Sequence, residues 1–161
     1  MTVEEYNKSV DLYADGIYRF VLKTLKDQEK AKDTVQDSYE KLWVKYGEVS
    51  FEKVKSYLFT TAYHASIDLI RKEKKKVEYE SAPIIDTSTH DQYTDVHEVL
   101  NRALEQLPEI QKSVLLLRDY EGYSYEEIGE ITELNESQVK VYIFRARLFL
   151  KNYLVSIENI I

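Results

Sequence analysis

With 161 residues, a formal net charge of −7, four Gly, two Pro and no Cys, the chain excludes a disulfide scaffold, a thiolate metal site and a cysteine nucleophile. Its 43% hydrophobic content is that of a folded protein with room for two small modules, while the negative charge excludes a protein that coats DNA by electrostatics alone. No window approaches about 18 uninterrupted apolar residues, and the N-terminal residues lack a basic start followed by an apolar run. The expectation is therefore a soluble cytoplasmic protein.

Abundant Leu, Ile, Glu and Lys without alternating polar and apolar runs predict an all-α fold. Three helices are expected first, over 3–24, 28–46 and 51–75, with breaks at Lys26-Asp27 and Tyr46-Gly47, and together they form a module over 1–76. In the second helix Ala31, Val35, Tyr39, Leu42 and Tyr46 recur at helical spacing and belong in the core. Asp33, Gln36, Asp37 and Glu40 share the opposite face, a row that repels DNA and suits a basic protein partner, with a merely solvated face as the alternative. In the third helix Val54, Tyr57, Leu58, Thr61, Ala62, Ala65 and Leu69 form the core stripe. Its second face, Thr60, Tyr63, His64, Ile67 and Arg71, leads into the basic run RKEKKK. Cations beside an aromatic ring suit single-stranded DNA, although Lys and Arg at a helix C-terminus also complement its dipole.

Residues 77–96 lose the helical period, hold Pro83 and a Ser/Thr/Asp cluster, and read as an acidic linker. The stretch 78–98 has six acids and no Lys or Arg. The second module, 97–161, is expected to begin with helices over 96–107 and 109–121, parted by Pro108. Two helix-start signals follow eleven residues apart, Ser124 with Glu127 and Asn135 with Gln138, and they frame helices over 124–132 and 136–155. Ile128, Ile131, Leu134, Val139, Ile143, Ala146 and Leu150 close a small core, leaving Lys140, Arg145, Arg147 and Lys151 outside. This is the outline of a helix-turn-helix, which lays its second helix in a major groove. Any capped helical hairpin shares the pattern.

The order of features resembles a known family. KDTVQDSYEKLW (32–43) resembles the D-x-x-Q-D signature of sigma region 2, and SYLFTTAYHASIDLIRKEKK (56–75) its promoter-melting helix. The blocks 104–131 and 138–150 are similar to sigma region 4, so the chain looks like an RNA polymerase sigma factor of the sigma-70 family, extracytoplasmic-function (ECF) type. The resemblance implies two helical domains, no catalysis and no cofactor. It implies that Asp33, Gln36, Asp37 and Glu40 dock on the beta-prime clamp helices of core RNA polymerase, with Leu42 and Trp43 packing behind. Tyr63, His64, Asp68, Arg71 and Lys72 would capture the non-template strand of the minus-ten element in promoter DNA, with Asp68 pairing to Arg71 or Lys72. Ser137, Gln138, Lys140, Val141, Tyr142, Arg145 and Arg147 would read the minus-thirty-five element. Further partners implied are the beta flap and an anti-sigma factor, which in some members holds the protein at the inner membrane. A linker lying in the polymerase's nucleic-acid path, its acids mimicking RNA, is a further expectation.

Four departures matter. The family commonly has Arg for Tyr63, Asn for His64, Gly for Glu133 and Ser-Arg for Val141-Tyr142. The last pair replaces hydrogen-bond donors by apolar surface, which contacts a thymine methyl but makes no bidentate guanine contact. The rival reading is a stand-alone helix-turn-helix regulator binding an operator as a dimer. A metal-dependent enzyme built on His64 and Asp68 lacks further ligands, since His90 and His97 lie in or beside the linker.

Overall fold

The computed structural model describes residues 1–80 and 96–158. Helix α1 spans Val3–Leu25, begun by a capping box in which the Thr2 hydroxyl accepts from the Glu5 amide and the Glu5 carboxylate accepts from the Thr2 amide. It ends at Lys26, which adopts φ 58° and donates its N–H to the Leu22 carbonyl. Asp27 then caps α2, Gln28–Lys45, by accepting from the Lys30 amide. A 3-10 turn, Phe51–Lys53, leads into α3, Val54–Glu80. The helix therefore runs beyond the predicted end at 75 and takes up the start of the expected linker; the rest of that linker, 81–95, lies outside the described residues.

The second module contains α4, Val96–Gln106, and α5, Glu109–Leu115, separated by Pro108 as the sequence implies. The predicted helix over 109–121 is not uniform: Leu116–Tyr120 is a π-helical turn. The amides of Glu121, Gly122 and Tyr123 return to the carbonyls of Leu116, Arg118 and Leu117, and Gly122 takes φ 76°, a conformation that favours Gly. This widened turn swings Tyr123 inward. Helices α6, Tyr125–Thr132, and α7, Glu136–Glu158, complete the chain. Among the described residues there is no strand, and no helix is long and apolar enough to cross a membrane.

Ile17, Phe20 and Val21 of α1, Ala31 and Leu42 of α2, and Val54, Leu58 and Ala62 of α3 form the first core. Leu104, Val114, Leu115, Ile128, Ile131, Val139, Ile143 and Ala146 form the second. Full burial of one Leu, Ile or Phe contributes about 1.5–3 kcal/mol, so each triple or quadruple of helices is held chiefly by these stripes. The two cores join into one contiguous cluster. The joint is Phe59 of α3, whose ring meets the edge of Tyr123 at 4.9 Å between centroids.

Candidate functional site

On α2, Asp33, Gln36, Asp37 and Glu40 are all exposed on one face, while Ala31, Tyr39 and Leu42 are buried on the other. The helical period alone explains this split. Gln36 donates to Glu40 at 3.4 Å, and Tyr39 ties the helix to α1 through its hydroxyl, which donates to the Ser9 carbonyl at 2.8 Å. Burial pushes the Tyr39 phenol up to about 12, so it serves as a fixed donor. Trp43 does not pack behind the acidic face with Leu42. It is 49% exposed, edge-on to Tyr6 and stacked on Tyr46 at 5.1 Å, because one residue further along a helix is a turn of 100° away from the buried stripe.

On α3 the expected DNA face is divided. Tyr63 is only 7% exposed and stacks against Phe20 at 6.5 Å, whereas His64, Asp68, Arg71 and Lys72 are exposed. His64 Nε2 lies 3.5 Å from the Glu133 carboxylate, at the end of α6. Asp68 makes no ion pair with Arg71 or Lys72 among the described residues; a short side chain on an open helix face gains too little to be ordered there. Helix α6 packs across α3, and the contact is closed by Lys55 over the Tyr123 ring at 3.9 Å, by Arg19 with Glu121 at 3.1 Å and by Lys26 with Glu105 at 3.0 Å.

Both predicted capping boxes are present. The Ser124 hydroxyl accepts from the Glu127 amide and the Glu127 carboxylate from the Ser124 amide; Asn135 and Gln138 exchange the same pair of bonds at 2.8 and 3.0 Å. Gly129 permits the tight turn, since a Cβ there would stand 2.7 Å from the Leu134 carbonyl oxygen. On α7, Val139, Ile143 and Ala146 face inward. Ser137, Gln138, Val141 and Arg145 face outward with Phe144 and Leu148, which are 67% and 47% exposed. These two were missed by the sequence reading, although counting three and seven positions on from Val141 places them on its face. Tyr142 is half-buried, Lys140 lies 3.6 Å from Glu136, and the Gln138 carbonyl is occupied by its cap. Arg147 points away from this face and pairs bidentately with Asp119, with Nε to Oδ2 at 3.0 Å.

Residues 10–76 match the family model for sigma-70 region 2, and residues 97–150 match that for sigma-70 region 4. The ECF RNA polymerase sigma factor SigM of Bacillus subtilis (strain 168) is 30% identical over 158 residues, covering 94% of each chain. The chain belongs to the sigma-70 family. Within it, the chain is an ECF RNA polymerase sigma factor. SigV of the same organism is 34% identical, covering 83% of this chain and 81% of its own. The sigma factor RpoE of Bartonella quintana, solved with the anti-sigma factor NepR, has the same architecture: TM-score 0.80, 25% identity, 94% of this chain and 98% of that one covered.

Region 2 is thus carried by α1–α3 and region 4 by α4–α7. Where the family pattern has Gly, this sigma factor places Glu133 in the left-handed conformation, φ 62°, donating its N–H to the Gly129 carbonyl. Of the residues expected together on α3, only His64, Asp68, Arg71 and Lys72 share an open surface, and Tyr63 is covered. Among the described residues no group of three or more His, Cys, Asp or Glu gathers to hold a metal ion.

Proposed function

We propose that this sigma factor directs promoter-specific initiation through three separate surfaces. The exposed row Asp33, Gln36, Asp37 and Glu40 docks on the beta-prime clamp helices of core polymerase. Charge supports this, since a carboxylate row finds its complement in a basic protein and is repelled by DNA. Region 4 contacts the beta flap and reads the minus-thirty-five element with the outward face of α7, where Arg145 and Lys140 meet phosphates or base edges and Val141 and Phe144 meet thymine methyls. The observation that carries the reading is this face: a capped recognition helix whose outer surface is uncovered even with the two modules together.

Minus-ten capture falls to His64, Asp68, Arg71 and Lys72, with Tyr63, which lies beside Glu109 and Ile110 of α5, joining once region 4 withdraws from α3. A base leaving the stack costs roughly a few kcal/mol, which ring stacking and cationic contacts offset. An acidic chain has little affinity of its own for DNA, so polymerase supplies the nonspecific grip and fixes the two modules at promoter spacing. Linker acids, outside the described residues, are assigned to the nucleic-acid path of the enzyme. An anti-sigma factor is a further partner, as one is for Bartonella RpoE.

The test is selection from a random DNA pool with purified core polymerase, for wild type and Asp37→Arg. Binding to core with enrichment of a two-part promoter, both reduced at least tenfold in Asp37→Arg, supports the assignment. Enrichment of a palindromic operator without polymerase makes the protein a stand-alone regulator instead.

A further inference from the structure

With the modules together, three carboxylates of region 4 are set along one face of α3. Glu130 of α6 reaches a cavity of about 500 Å³ whose region 2 wall includes Lys53, Thr60 and Thr61. Glu133, at the end of the same helix, stands 3.5 Å from His64. Glu109, at the start of α5, shares a second cavity with Tyr63, Arg71 and Lys74 of α3. From Thr60 to Arg71 this face runs about 16 Å at the helical rise of about 1.5 Å per residue, so the three acids are spread over three turns.

Tyr63 sits between two of these acids. It is 7% exposed, and its phenol is pushed above the ordinary value by burial first and then by Glu109 and Glu133, with Arg71 opposing. A phosphate approaching His64 or Arg71 meets the carboxylates within the roughly 10 Å over which charges act at about 0.1 M salt, and region 4 covers the ring on which a base would stack. The contact also carries a cost. One Glu109 oxygen, and the hydroxyl of Tyr123 at the joint with Phe59, are buried without a hydrogen-bond partner among the described residues; both regain water when the modules part.

We infer that region 4 competes with the unpaired strand for α3: Glu109, Glu130 and Glu133 lie where backbone phosphates would lie, and the free sigma factor is closed to single-stranded DNA until core polymerase draws its modules apart. The inference rests on the assignment of α3 to minus-ten capture. A closed population lowers the apparent affinity in proportion to the open fraction, so opening the seam without altering charge strengthens strand binding. Strand capture is thereby confined to the polymerase complex, and single strands exposed elsewhere do not sequester the free protein.

The full-length protein, without polymerase, is titrated against a fluorescein-labelled single DNA strand of random sequence and followed by fluorescence anisotropy at fixed salt. Gly16→Leu is the first variant: a Cβ at Gly16 would stand 2.8 Å from the Glu121 Oε1, so the larger side chain wedges the seam with no change in net charge. Strand affinity about tenfold or more above wild type is expected, with a larger radius of gyration in small-angle scattering, and Arg71→Ala with Lys72→Ala in the same chain should remove the gain. If scattering finds the modules still together, Glu109→Gln with Glu130→Gln and Glu133→Gln decides, against a control of equal charge at exposed positions, Glu4→Gln with Asp11→Asn and Glu98→Gln. The first set alone should raise affinity about threefold or more. Opening without a gain, or an equal gain from both sets, overturns the inference, while promoter selection with core polymerase still tests the minus-ten assignment by itself. A gain that survives Arg71→Ala with Lys72→Ala overturns both.

Discussion

Glu133 ends α6 in a left-handed conformation that costs a residue with a Cβ about 1 kcal/mol. Glu133→Gly is expected to raise the unfolding free energy by about that amount in urea titrations, even as it removes the carboxylate facing His64. Gly129→Ala acts oppositely. Its Cβ meets a backbone oxygen that has no freedom to withdraw, and a loss of about 1–3 kcal/mol is expected in the same titrations. Tyr123 is 1% exposed and its hydroxyl has no hydrogen-bond partner among the described residues, so Tyr123→Phe should leave stability unchanged or raise it by about 1 kcal/mol. At this scale the sequence was legible wherever helical period decides. Ala31, Leu42, Val139, Ile143 and Ala146 were placed in cores and are buried there. It was not legible at Tyr63 and Trp43, amphipathic residues whose exposure depends on what a neighbouring helix covers.

Among the elements, α6 has only eight residues, and its capping box sets the entry to the helix-turn-helix. Ser124→Ala removes the acceptor for the Glu127 amide and is expected to cost about 1 kcal/mol, measured by thermal or urea unfolding. Burial alone would raise the Glu127 carboxyl, but the backbone and side-chain bonds with Ser124, aided by Lys55, outweigh it and leave the group below its ordinary value. A folded-state value below the unfolded one contributes stability that is present above the unfolded carboxylate range and is lost as pH falls through the folded value. Glu127→Gln should therefore flatten that acid limb in melts taken from neutral to acid pH. The π-helical turn after α5 had no counterpart in the sequence reading, because its cause is the return of three amides to non-sequential carbonyls around Gly122. Capping residues announce helix starts locally; a widened turn depends on where the following chain is anchored.

For the molecule as a whole, the closed contact of regions 2 and 4 is the feature with most consequence. Glu121 sits at that contact with its side chain 6% exposed, against Arg19, and Gly16 leaves space for it, since a Cβ there would stand 2.8 Å from its Oε1. Glu121→Arg places like charges face to face and should separate the modules. Small-angle scattering should then show the radius of gyration rising by several ångström from about 15 Å, the value expected of a compact chain of this length. Spacing and capping act within a few residues, so the residues alone announce the all-helical fold, the helix starts and the acidic face of α2. Only the assembled helices decide that Phe59, Lys55 and Tyr123 join the modules and that Tyr63 is covered while the outer face of α7 stays open. Those contacts link residues distant along the chain, and their energy arises only once two finished surfaces meet.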